Sequence, residues 1–203
     1  TTGNKYISFG SVTRVGDRLY VVAREATVHT VSVTGGVGIW ISDDLGRTWS
    51  EDTGLAVTDA SFDLRDPRLY LGADDTLWLF YSKTNAADTS RVVTYRTSSA
   101  PYTSWSTATA LTSMTRANNG SRPIRLASGR IVVPCYDVPP GGVGGGICWP
   151  FVRWSDDGGA TWTTDYLTAD GIAPAVYDNY NETAIVESPT TPGTLIAITR
   201  RDT

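Results

Sequence analysis

Ser155-Asp156-Asp157-Gly158-Gly159-Ala160-Thr161-Trp162 has a near-identical twin at Ser42-Asp43-Asp44-Leu45-Gly46-Arg47-Thr48-Trp49. Both read Ser-x-Asp-x-Gly-x-Thr-Trp. A motif that recurs within one short chain marks a structural repeat, and a repeat decides architecture before any single residue does. Between the two lies Ser98-Ser99-Ala100-Pro101-Tyr102-Thr103-Ser104-Trp105, a degenerate copy without the Asp and the Gly. The three tryptophans stand at positions 49, 105 and 162, at intervals of 56 and 57. Apolar runs opening at Leu19, Leu77, Ile131 and Leu195 keep a similar period. Each follows a tight polar turn such as Gly16-Asp17-Arg18 or Ser128-Gly129-Arg130.

Leu77-Trp78-Leu79-Phe80-Tyr81 is typical of these runs: short, aromatic or β-branched, and bounded by Gly, Asp, Asn and Pro. No stretch reads as a helix of three turns, so the fold class is all-β. A period near 56 residues accommodates about four strands, which is a propeller blade. The repeated octapeptide then belongs to a hairpin near the outer edge of a blade. There the Asp can accept backbone N–H bonds, the Gly can take positive φ, and the Trp can pack under the turn. Its paired carboxylates read as structure, not as an active site.

The 203 residues make roughly 3.6 such repeats, whereas closed propellers hold about 4–8 blades. Residues 1–203 are therefore expected to be one domain, about four blades, with further chain completing the ring. Open blade faces and strand edges are aggregation hazards. The chain by itself is expected to be unstable, to self-associate, or to need the remaining blades.

Composition agrees with a folded domain: 40% hydrophobic and 19% charged. The net charge is −4, and no basic block interleaves with aromatics, which argues against nucleic acid. An acidic chain is not drawn to anionic lipid. No apolar run approaches the roughly 20 residues of a membrane span. The opening Thr-Thr-Gly-Asn-Lys is no signal peptide and lacks Met, as in a processed protein or a fragment. Cys135 and Cys148 read either as two buried free thiols or as a disulfide across a hairpin. With one His and no Cys-x-x-Cys, neither a metal site nor a cofactor is expected.

In a propeller the innermost strands point at a central funnel. Taking the runs opening at Leu19, Leu77, Ile131 and Leu195 as those strands, the residue five places on is Arg24, Ser82, Tyr136 and Arg200. Two arginines and a tyrosine at one level suit bidentate recognition of a carboxylate or sulfate. Gly141 to Gly146 is glycine-rich, but no Lys-Ser/Thr follows, so it reads as a loop near the funnel mouth and not a phosphate cradle.

The octapeptides resemble the Asp-boxes, or BNR repeats, of the sialidase (neuraminidase) superfamily. Gly120 to Leu126 with Ile131 to Tyr136, and Asn181 to Glu187 with Gly193 to Arg200, resemble further segments of that family. The resemblance runs from about Ser8 to the end and implies the first four blades of a six-bladed propeller. It implies a glycan substrate with an acidic sugar, sialic acid or a relative, and an extracellular or secreted protein. Glu182 lies where the family has the glutamate that deprotonates its nucleophilic tyrosine, since a phenol near neutrality needs an adjacent base. Glu187 stands where the family has a second glutamate. Arg200, seven residues after Gly193, has the spacing of a carboxylate-binding arginine. Arg24 matches a substrate-contacting arginine, and Asp66, before Pro67, an aspartate that reaches a sugar hydroxyl. Arg122 and Arg125 flank Pro123, and Arg122 is taken to face the funnel.

The departures are specific. Ile7 to Val12 contains no arginine where the family has its first. His29 stands in place of the acid/base aspartate, and an imidazole titrating near 6.5 can serve as acid or base. The family's nucleophilic tyrosine and third arginine would follow residue 203. A sialidase-type exo-glycosidase is thus weighed against a non-catalytic carbohydrate-binding propeller, as in an adhesin or phage receptor-binding module. A scaffolding propeller stands third.

Overall fold

The structure, a computed structural model, describes residues 5–113, 115–138, 147–167 and 179–202. The glycine-rich stretch 141–146 lies outside these. The described residues contain strands and no helix, hence none long and apolar enough to cross a membrane. The first sheet runs β1 (Tyr6–Val15), β2 (Arg18–Ala26), β3 (Gly36–Ser42), β4 (Ser50–Glu51). The second runs β5 (Phe62–Leu71), β6 (Leu77–Asn85), β7 (Arg91–Ser98), β8 (Thr109–Ala110). In the third, β9 (Ala117–Asn119) and β10 (Ile124–Arg125) both pair with β11 (Ile131–Asp137), followed by β12 (Pro150–Ser155) and β13 (Thr163–Tyr166). A fourth sheet holds β14 (Asn179–Glu187) and β15 (Leu195–Asp202). All pairings within these sheets are antiparallel, so the architecture is three blades and the first two strands of a fourth, an unclosed piece of propeller.

The blades stack face to face, which explains the apolar runs. Leu77, Leu79 and Tyr81 pack with Tyr20, Val22 and Ile39 of the first blade. Trp78 and Phe80, alternating with them, pack with Ile131, Val133 and Phe151 of the third. A strand covered on both faces reads as continuous hydrophobicity instead of alternation. β15 shows the opposite case: Leu195 packs on the third blade, while Ile198, on the face with no neighbour among the described residues, is 75% exposed.

One expectation is corrected here. The runs opening at Leu19, Leu77, Ile131 and Leu195 are the second strand of each blade, not the innermost. The first strands converge instead. Arg68 on β5 donates to the Phe9 carbonyl of β1 and to the Gly120 carbonyl after β9 (2.8 and 3.0 Å). A Cβ at Gly120 would lie 3.1 Å from the Thr183 carbonyl of β14, a backbone approach that only glycine allows easily.

Both full Asp-boxes close the turn from third to fourth strand, as expected. In the first, Asp44 accepts the Thr48 N–H (2.8 Å) and hydroxyl (2.6 Å), and Gly46 takes φ 89°. The degenerate copy fills the equivalent β7–β8 connection, where Trp105 donates to the Leu55 carbonyl of the preceding blade (2.8 Å). Cys135 and Cys148 are free and buried, and burial pushes the Cys148 thiol up to about 11.

Candidate functional site

The counting from strand starts picks out one true structural level. Arg24 pairs with Ser8, Ser82 with Arg65, Tyr136 with Asn118 and Arg200 with Asn181. Just beyond each of these partners the inner strand departs from regular pairing. In β1, β5 and β14 the register slips, and the first residue of the slip takes positive φ: Phe9 (60°), Asp66 (50°) and Glu182 (22°). In the third blade the inner strand breaks between β9 and β10. Non-glycine residues in this region cost about 1–3 kcal/mol each and gather at functional sites. Bulges also re-aim side chains. These bring Phe9, Asp66 and Glu182 to one cavity of about 280 Å3, lined also by His29, Arg65, Arg91, Asn118, Tyr136 and Arg200.

Five of the residues singled out by sequence therefore meet: Glu182, His29, Asp66, Tyr136 and Arg200. Arg200 donates to Glu182 (3.1 Å) and Asp202 (2.8 Å). Burial raises the pKa of Asp66, against the pull of Arg68 and Arg65 and with the push of Glu182, so its carboxyl holds a proton above the usual carboxylate range. Burial likewise pushes the Tyr136 hydroxyl up, with Asp66 and Glu182 adding to it. The phenol accepts from Asn118 Nδ2 (2.9 Å), which leaves its own proton to donate. His29 sits at the edge, its ring 5.3 Å from Tyr6 and 5.7 Å from Phe9.

Two residues are placed elsewhere. Arg24 is fully buried and makes a bidentate pair with Asp63 of the next blade (2.8 and 2.9 Å), with the Val28 and Thr30 carbonyls as further acceptors. It supports the cavity from behind without lining it. Asp63 also accepts the Ser32 N–H and Arg65 Nη1, both at 3.1 Å, and so fixes Arg65, whose guanidinium lies 5.3 Å from the Phe9 ring. A Cβ at Gly35 would fall 1.7 Å from Asp63, so glycine is required there. Arg122 is exposed and reaches Thr13 (3.3 Å) instead of the funnel. Glu187 serves the far end of β14, accepting the Ala127 and Gly193 N–H groups (2.7 and 2.8 Å).

Sequence reasoning passed over Arg91 and Asn118. Asn118 was findable as the partner of Tyr136 across a strand pair. Arg91, held by Asp88 (2.6 and 2.7 Å), carried no signal. Arg65 Nε and Asn118 Oδ1 are buried with no hydrogen-bond partner. Among the described residues no cluster of His, Cys, Asp and Glu could hold a metal. The arrangement can grip a polyhydroxylated anion, with three guanidiniums, a donating phenol, a buried aspartate and a glutamate.

A family model for the BNR repeat-like domain matches residues 18–203. No curated protein sequence matches the chain. Solved structures share the fold. A Hadza microbial sialidase is 14% identical with a TM-score of 0.74, over 96% of this chain and 42% of its own. The Trypanosoma rangeli sialidase, solved with 2,3-difluorosialic acid as covalent intermediate, is 14% identical with a TM-score of 0.70, over 97% and 34%. The GH93 α-L-arabinofuranosidase of Fusarium graminearum, solved with arabinobiose, is 17% identical with a TM-score of 0.64, over 89% and 53%. The chain thus spans about a third to a half of these proteins.

Proposed function

The chain belongs to the BNR repeat-like domain family, and from that premise we propose that it is the substrate-gripping part of a sialidase-type glycoside hydrolase acting on an acidic sugar. The observation that carries this is the convergence of Asp66, Tyr136, Glu182 and Arg200 in one cavity at the bulges of successive blades. Arg200 and Arg65 supply guanidiniums for a sugar carboxylate, Tyr136 supplies an O–H donor, and the Asp66 carboxyl supplies oxygens for ring hydroxyls. Glu182 is the base, aimed at a nucleophile from the remainder of the protein. Both sialidases and an arabinofuranosidase have this fold, so the sugar is chosen by the cavity and not by the architecture.

Glu182→Gln in the full-length protein, assayed on aryl glycosides of sialic acid, uronic acids and arabinofuranose, tests this. Turnover of one acidic glycoside should fall by about 100-fold or more, as for loss of a general base. Unchanged turnover removes Glu182 from the mechanism. A second reading, binding without cleavage, is favoured by one feature: the Arg200 ion pair already occupies Glu182. It predicts acidic-sugar binding with no sugar released by the wild type.

A further inference from the structure

One guanidinium of the funnel cavity is left unused by the grip on a carboxylate. Arg91 opens β7, lines the cavity and is only 6% exposed. Its Nε and Nη2 chelate Asp88 (2.6 and 2.7 Å), a residue of the β6–β7 turn at φ 53°. Its backbone N–H donates to the Thr115 carbonyl (2.6 Å). Main chain and side chain are both fixed, and one nitrogen is left over. Nη1 makes no hydrogen bond among the described residues, and it is not sealed from solvent as Arg65 Nε is. Arg200 is the contrast: its side chain is 54% exposed and already engages Glu182 and Asp202. Asp66 lines the same cavity, and its two carboxyl oxygens are likewise unpartnered and unsealed. Arg91 and Asp66 are close enough for the charge of each to act on the other. No ion pair joins them. Opposite charges in a largely desolvated cavity attract strongly, but the Asp88 chelate holds one and the positive-φ bulge holds the other. A hydroxyl fits between such a donor and such an acceptor, because it accepts an N–H and donates its own O–H at once. A carboxylate has no proton to give Asp66, and an ammonium has no lone pair for Arg91.

We propose that Arg91 is a specificity-determining residue: its Nη1 and the Asp66 carboxyl together hold one ring hydroxyl of the sugar and select that hydroxyl's configuration. This rests on the reading of the funnel as an acidic-sugar site and adds a second criterion to it. Arg200 and Arg65 read the charge of the sugar, and Arg91 with Asp66 reads its stereochemistry. An epimer turns the hydroxyl away and leaves two buried charged groups unpaired, which is the case that a polar site rejects most strongly. Asp88 is then a positioning residue, acting on the sugar through Arg91.

Isothermal titration of the full-length protein with epimeric sugars tests this. The acids are D-glucuronic acid with its epimers D-galacturonic and D-mannuronic acid, and N-acetylneuraminic acid with its 4-epimer. D-glucose, D-galactose and D-mannose are the neutral counterparts. The wild type should prefer one acid over its epimer by about tenfold or more, the worth of a charge-assisted hydrogen bond. Arg91→Met should weaken the preferred acid by about that factor and leave the epimer as it was, so that the preference disappears. Arg200→Ala should weaken both epimers alike. Arg91→Lys keeps the charge but cannot grip Asp88 and reach the hydroxyl together. It should lose the preference at an unchanged melting temperature, which separates the effect from loss of fold. Equal binding of all epimers by the wild type overturns the proposal. So does an Arg91→Met or Arg91→Lys protein that keeps the preference, or that weakens both epimers alike. Failure of the acidic-sugar reading looks different: neutral sugars bind as well as the acids and Arg200→Ala changes nothing, while Arg91→Met still removes the preference between epimers. Binding of none of these sugars overturns both.

Discussion

Asp157 at the rim and Asp66 at the funnel are both aspartates of inter-strand irregularities, treated in opposite ways. Asp157 is fully engaged: it accepts the Ser155 hydroxyl (2.7 Å), the Thr161 N–H (2.9 Å) and the Thr161 hydroxyl (2.6 Å). Those bonds, the Thr161 hydroxyl foremost, lower its pKa to about 2. Asp66 is buried in a positive-φ bulge, and no hydrogen bond among the described residues reaches its carboxyl. Its pKa moves the other way. A carboxylate whose acceptors are all taken holds a turn together. One buried with its acceptors free weakens the fold and is kept for something that arrives later.

The comparison breaks most readily at the support behind the funnel. Asp63→Ala leaves the Arg24 guanidinium fully buried without its carboxylate, and loss of one partner of such a pair costs about 3–5 kcal/mol. Urea unfolding of the full-length protein should show that loss. A loss under about 1 kcal/mol would mean that the Val28 and Thr30 carbonyls suffice for Arg24.

At the rim, the two Asp-boxes themselves differ. A Cβ at Gly159 would sit 2.4 Å from the Trp78 ring of the preceding blade, whereas at Gly46 the nearest atom is 3.5 Å away. Both glycines have positive φ. Gly159→Ala should cost about 2–3 kcal/mol, from strain plus overpacking, and Gly46→Ala about 1 kcal/mol. Equal losses would mean that the third-blade turn gains nothing from its seat on Trp78.

Asp66→Asn sharpens the contrast. Asn tolerates the same backbone and carries no charge to bury. Stability should hold or rise while acidic-sugar turnover falls. A clear loss of stability would make Asp66 a structural residue like Asp157.

The smallest effect is in pH dependence, and its sign differs between the ends. The depressed pKa values of Asp44 and Asp157 contribute stability that is present above about pH 4 and lost as pH falls toward about 2. Asp66, with a raised pKa, contributes nothing unfavourable below the ordinary carboxylate range. It destabilises increasingly as pH climbs from there through its folded pKa. Thermal melts against pH should lose the second limb in Asp66→Asn and part of the first in Asp157→Asn.

The repeat made the architecture legible. Ser-x-Asp-x-Gly-x-Thr-Trp demands one turn geometry, and the two full copies form it with matching bonds. Counting along the period also found the level of the funnel. It could not say that Arg24 would be consumed there, because Asp63 comes from the next blade, 39 residues on. Nor could it show that Phe9, Asp66 and Glu182 carry the bulges, since none is the glycine that usually advertises positive φ. Asn181-Glu182-Thr183 has the spelling of an N-glycosylation site, but Asn181 is fully buried and donates to Asp202 (2.7 Å).

The most direct measurement is a crystal structure of the full-length protein soaked with the acidic sugar it binds most tightly. The account predicts a sugar ring in the funnel, its carboxylate on Arg200 or Arg65 and its hydroxyls within hydrogen-bond distance of Asp66 and Tyr136. A sugar held only at the blade rims, with the funnel empty, would contradict it.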